Sequence, residues 1–100
     1  MANTFNVLYR GAASTSLTTL YTAPASTSTL ITSITITNAA GSSATYDISL
    51  NDVPLANDVA VPANDSVILE PKQLILAGET IKALASATTV YFHISGLEIT

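Results

Sequence analysis

Strict alternation of apolar and polar residues constrains this chain more than any other feature. Residues 44–50 read Ala44-Thr45-Tyr46-Asp47-Ile48-Ser49-Leu50, with Ala44, Tyr46, Ile48 and Leu50 on one side and Thr45, Asp47 and Ser49 on the other. Successive side chains of a strand point to opposite faces, so a period of two marks a half-buried β-strand. Residues 28–38 repeat the pattern, and their spacing predicts Leu30, Thr32, Ile34 and Ile36 on one face and Ile31, Ser33, Thr35 and Thr37 on the other. Val90, Phe92 and Ile94 alternate in the same way near the C-terminus.

Turn-forming groups separate these runs every 8–12 residues or so, the spacing of an all-β sandwich or barrel. They include Ala23-Pro24-Ala25-Ser26, Asn51-Asp52-Val53-Pro54, Pro62-Ala63-Asn64-Asp65 and Ala77-Gly78-Glu79. Seven or eight strands are expected, in an antiparallel β-sandwich of Ig-like or jelly-roll-like kind. No segment shows a 3.6-residue period, and residues 72–77 have room for one helical turn at most. The parity of Leu97 and Ile99 differs from that of Val90, Phe92 and Ile94, which points to a bulge at Gly96. The 100 residues fit one domain. Residues 16–100 form the expected sandwich, and residues 1–15 are either an arm or its first strand.

Composition agrees. Ser and Thr number 26 while charged residues number ten, so the polar faces are built from hydroxyls, with branched Thr well suited to a pleated surface. Leu, Ile and Val also number 26, slightly more than one sandwich interior needs. Leu30-Ile31, Val67-Ile68-Leu69 and Leu74-Ile75-Leu76 put large aliphatics on both faces of their strands. Either a neighbouring subunit covers the second face, or these are short strand ends tucked under loops.

Several functional classes lose support. Three scattered cations, Arg10, Lys72 and Lys82, at a net charge of −4, do not form the cluster that phosphate backbones require. Without cysteine there is no disulfide or thiolate chemistry. No apolar run approaches the ~20 residues that span a bilayer as a helix. The opening Met1-Ala2-Asn3-Thr4-Phe5 has no basic or apolar leader character, so synthesis and assembly in the cytoplasm are expected.

A search for reactive groups finds little. His93 is the single histidine and has no adjacent carboxylate, so it is expected at a surface or interface. Asp47, Asp52, Asp58 and Asp65 lie in or beside turns with Asn51, Asn57 and Asn64, a supply of oxygen ligands for calcium, but Asx side chains favour turns for their own backbone hydrogen bonds. Glu70 and Glu79 offer a weak carboxylate pair for glycoside hydrolysis. Asn64-Asp65-Ser66 matches the glycosylation pattern without a secretory leader to use it. No catalytic residue, metal ligand or cofactor-binding residue is assigned. Among the aromatics Tyr46 and Phe92 fall on core positions, and Tyr91 is the best candidate for exposure to a sugar or a partner. The candidate interface comprises Phe5, Val7 and Tyr9, which alternate onto one face of residues 5–10, together with Tyr91 and His93.

One family resemblance spans nearly the whole chain. It is carried by Tyr21-Thr22-Ala23-Pro24, Ile31-Thr32-Ser33-Ile34-Thr35-Ile36-Thr37-Asn38, Val61-Pro62-Ala63-Asn64-Asp65-Ser66, Leu76-Ala77-Gly78-Glu79-Thr80-Ile81 and the ending Ser95-Gly96-Leu97-Glu98-Ile99-Thr100. These segments and the opening Met1–Phe5 resemble small virion structural proteins of tailed bacteriophages, cyanophages among them. The resemblance implies a β-sandwich built into the virion, with no catalytic residues and no cofactor. The expected role is capsid decoration, with the chain as a homo-oligomer such as a trimer and the major capsid protein or other virion proteins as partners. The alternatives are a neck, tail or fibre component, and a carbohydrate-binding adhesion module. Neither nucleic acid nor membrane is an expected partner.

Overall fold

The computed structural model describes residues 2–100; Met1, the first residue of the expected arm, lies outside them. The chain forms β1 (Asn3–Ala12), β2 (Thr18–Thr22), β3 (Ser28–Asn38), β4 (Ala44–Leu50), β5 (Val53–Val61), β6 (Ser66–Leu69), β7 (Gln73–Ile75), β8 (Thr80–Ala85) and β9 (Val90–Ile99). All are strands, and every pairing is antiparallel. Nine strands exceed the seven or eight expected because residues 73–75 add a short one beside β3, where at most a helical turn was expected.

The strands lie in two sheets. One runs β1-β9-β3-β6, with β7 also pairing β3; the other runs β2-β8-β4-β5. β6 and β7 both flank β3, as two pieces of one strand broken near Pro71 and Lys72, which has φ of 50°. Counted so, the order is that of a jelly roll of two four-stranded sheets, in which consecutive strands alternate between the sheets except at the β4–β5 hairpin. The Cα radius of gyration is 13.3 Å and the molecule is elongated, 46 × 21 × 18 Å.

The core lies between the sheets and follows the alternation. β4 buries Ala44, Tyr46, Ile48 and Leu50, and β9 buries Val90, Phe92 and Ile94. Tyr46 and Phe92 meet edge-to-face across the gap, ring centres 6.5 Å apart at 79°. Such pairs add about 0.5–1.5 kcal/mol beyond the area they bury.

Two bulges correct the expected faces. In β3 the register steps between Ile31 and Ser33, so Thr32 is an extra residue, and its hydroxyl donates to the Ser95 carbonyl at 3.0 Å. The inward set is therefore Thr29, Ile31, Ile34, Ile36 and Asn38, while Leu30 turns outward. In β1 the register steps between Val7 and Tyr9, leaving Leu8 extra and buried. Tyr9 then pairs with inward-facing Ile94 and leaves the face that Phe5 and Val7 share.

Gly96 explains why both bulges fall here. A Cβ on Gly96 would stand 2.6 Å from the Leu30 carbonyl oxygen and 2.8 Å from Leu8 Cδ1. The bulges at Leu8 and Thr32 bring those groups over a position where only hydrogen leaves room. The bulge expected at Gly96 thus lies in its two neighbours. β9 keeps its own alternation, with Gly96 and Glu98 inward and Leu97 and Ile99 outward.

Candidate docking face

The outer face of the β1-β9-β3-β6 sheet is assembled by register. Directly opposed residues in antiparallel strands share a face. Phe5 stands opposite Leu97, Leu97 opposite Leu30, and Leu30 opposite Leu74. Four large apolar side chains thus form one transverse row across four strands. Phe5 is 79% exposed and Leu74 52% exposed, with Leu97 and Leu30 half-buried between them. Val7 follows beside Ser95, whose small side chain leaves a hollow of about 380 Å³ lined by Phe5, Asn6, Val7, Ser95 and Gly96.

The other end of the face is polar. Arg10, His93, Thr35 and Ile68 form one row and Ala12, Tyr91, Thr37 and Ser66 the next. Arg10 and His93 are the only basic side chains that these strands turn outward, and no acidic one joins them. The two large apolar groups at this end, Ile68 and Tyr91, are exposed and separated by threonines.

The outer face of the other sheet contrasts with this. Thr45, Asp47, Ser49, Thr80 and Lys82 cover most of its centre, with half-buried Leu84 opposite Asp47, and Lys82 Nζ bonds Asp52 Oδ1 at 2.7 Å. An exposed ion pair of this kind contributes about 0–1 kcal/mol.

Of the five interface candidates, Phe5, Val7, Tyr91 and His93 share the outer face, the first two at its apolar end and the last two at its polar end. Tyr9 does not join them; its hydroxyl donates to the Ala12 carbonyl at 3.1 Å and its ring covers Gly11. Sequence reasoning missed Leu97, Leu30 and Leu74 as members of the face. The signal for Leu30 and Leu74 was the surplus of aliphatics on both sides of residues 30–31 and 74–76, whereas Leu97 showed only as the change of parity after Gly96.

Most of the other residues singled out for chemistry serve local structure. Asn51, Asp52, Asp58 and Asn64 adopt φ of 50–64°, the left-handed turn conformation that Asx residues tolerate. Asp47 Oδ1 accepts the Asp58 N–H at 2.7 Å, and Asp65 Oδ1 accepts the Ser66 N–H at 2.8 Å. Glu79 Oε1 accepts the Leu76 N–H at 2.8 Å, while Glu70 borders a separate hollow beside Tyr46 and Val59. Among the described residues no three His, Asp or Glu side chains converge as a metal site would require.

Glu98 joins the two sheets near the apolar end of the face. Its Oε2 accepts from the Tyr21 hydroxyl at 2.6 Å and its Oε1 from Asn6 Nδ2 at 3.0 Å. Since the Tyr21 proton goes to Glu98, the Thr29 hydroxyl, 2.8 Å away, donates to Tyr21. The bonds from Tyr21 and Asn6 hold the Glu98 carboxyl below the usual carboxylate range, and burial together with the bond to Glu98 pushes the Tyr21 phenol up.

The fold and face define a small jelly-roll sandwich with one polar and one part-apolar outer surface. No protein-family model, curated protein or solved structure matches the chain.

Proposed function

We propose that the chain is a non-enzymatic structural module of a phage virion, a capsid decoration protein that docks on the major capsid protein through the outer face of its β1-β9-β3-β6 sheet. The observation that carries the docking is the transverse row Phe5, Leu97, Leu30 and Leu74. A sandwich fills its interior from the inner faces of its sheets, so an outward apolar row adds only cross-strand contacts, about 0.2–1 kcal/mol per pair, to the isolated chain. It gains free energy when a partner removes it from water, about 25 cal/mol per Å².

The virion setting is supported by the sequence resemblance. It is also supported by analogy with the jelly roll, an architecture that capsid and lectin domains share, although a fold by itself does not define a function. A low-charge Ser/Thr surface suits crowding among many copies, where an unpaired buried charge is costly.

The test adds the purified chain to capsids that lack it and measures co-sedimentation. Leu74→Lys should abolish association, while Ser49→Lys, on the polar outer face of the other sheet, should leave it intact. Normal binding by Leu74→Lys rejects the face. Copy number on whole particles separates head from neck or tail: hundreds of copies mean decoration, and a dozen or fewer mean neck or tail.

A further inference from the structure

The four sheet edges differ in how well they are protected. Exposed edges offer unpaired backbone groups to any extended segment, and proteins blunt them with prolines, charges, bulges or short length. The β5 edge contains Pro54, two register shifts and Asp58 at φ 54°. The opposite edge of the first sheet is split into β6 and β7 around Pro71 and Lys72. The β2 edge is five residues long and bulged between Thr19 and Tyr21. Residues 3–7 of β1 carry none of these devices. They pair with β9 without a break, and no charged residue or proline occurs between Ala2 and Tyr9.

The direction of the free groups follows from one reciprocal pair. The Ala2 N–H bonds the Thr100 carbonyl at 3.3 Å and the Thr100 N–H bonds the Ala2 carbonyl at 2.9 Å. In an antiparallel ladder, hydrogen-bonded and non-hydrogen-bonded positions alternate. Thr4 and Asn6 therefore also address β9, while Asn3, Phe5 and Val7 turn their N–H and C=O groups to the open edge. These are the residues whose side chains occupy the outer face.

We propose that this edge recognises a second copy of the same chain, β1 adding antiparallel to β1 about a two-fold axis at Phe5. Phe5 then exchanges both backbone bonds with Phe5 of the second copy, and Asn3 pairs with its Val7. Every group offered at the edge over residues 3–7 is satisfied, and the two phenylalanines sit side by side on one face. The rows of the two copies join into one apolar band across eight strands. The net charge of −4 opposes association elsewhere on the molecule, but the uncharged stretch between Ala2 and Tyr9 brings no like charges into register. A two-fold contact is isologous and builds dimers or even-numbered assemblies rather than a trimer.

The inference deepens the docking reading, since it doubles the face that reading uses, but it is tested separately on the full chain in solution. Sedimentation should give twice the 10.3 kDa chain mass. Phe5→Pro removes a donor that points to the open edge and none that bonds β9, so it should yield a monomer with an unchanged β spectrum. The chain has no cysteine, so a single introduced thiol reports on one contact. Hydrogen-bonded antiparallel partners lie about 5.5 Å apart at Cα, with Cβ atoms slightly too far apart for an unstrained disulfide but within reach of a short bifunctional thiol reagent. Phe5→Cys should therefore be joined by such a reagent into a covalent dimer. Asn3→Cys alone should not, its counterpart being offset by about 13 Å along the strand, whereas Asn3→Cys mixed with Val7→Cys should. A monomer at every concentration overturns the proposal, as does failure of Phe5→Cys to cross-link; if Phe5→Pro fails to fold, the cross-linking pattern decides. Normal capsid binding by Leu74→Lys rejects the docking reading and leaves this result unaffected.

Discussion

The Tyr21 hydroxyl donates a 2.6 Å hydrogen bond to the Glu98 carboxylate, tying β2 of one sheet to β9 of the other. Asn6 of β1 completes the group from the same side. The bond is strongest with an ionised acceptor and needs a protonated donor, so it is sensitive to pH at both limits.

The direction at each limit follows from the shifts. The folded-state pKa of Glu98 is lowered, chiefly by Tyr21 and next by Asn6. Its contribution to stability is therefore present above the ordinary carboxylate pKa and is lost as pH falls through the folded value. The Tyr21 pKa is raised, chiefly by burial. Its contribution is present below the ordinary phenol pKa and is lost as pH rises through the folded value. Denaturant unfolding across pH should show both limbs. Glu98→Gln should flatten the acid limb, and an acid limb unchanged in that variant would assign it elsewhere.

Gly96→Ala should destabilise the sandwich by about 1–3 kcal/mol, the usual penalty of overpacking. The added Cβ meets a backbone oxygen, Leu30 O, at 2.6 Å, so no rotamer change of that neighbour relieves the clash. Leu8→Ala in the same chain relieves only the side-chain contact and should leave most of the penalty. Chemical denaturation of the single and double variants measures both.

Asn38 is fully buried at the end of β3, where it joins two loops. Its Nδ2 donates to the carbonyls of Ser42 at 2.8 Å, Val61 at 3.3 Å and Pro62 at 3.4 Å, and its Oδ1 accepts the Ala40 N–H at 3.1 Å. Asn38→Ala strips several backbone groups of partners at once, and each buried orphan costs about 1–3 kcal/mol. A loss of at least about 2 kcal/mol is expected, with hydrogen exchange accelerated in residues 39–43 and 61–65.

The Thr89 hydroxyl is buried without a hydrogen-bond partner among the described residues. Thr89→Val keeps the shape and removes the desolvated group, so it should be neutral or stabilising by up to about 1 kcal/mol. The midpoint of thermal unfolding checks the sign.

Much of this architecture is legible along the chain. The alternation of Tyr46 and Ile48, and of Phe92 and Ile94, identified their inner faces because side-chain direction in a strand is a local property. The exposure of Tyr91 followed from the same parity. Asx-rich turns were readable because those residues tolerate the left-handed backbone they adopt at Asn51, Asp52, Asp58 and Asn64.

Period-two alternation therefore determined that the chain is an all-β sandwich and which residues fill much of its core. Tertiary structure alone decided where that period breaks. The bulges at Leu8 and Thr32 arise where β1 and β3 close over Gly96, a contact between segments distant in sequence, and they turn Tyr9 inward and Leu30 outward. The row from Phe5 to Leu74 and the bond from Tyr21 to Glu98 exist because of strand order and register. Local spacing carries no information about which strand becomes a neighbour, since that choice depends on burial summed over the whole molecule.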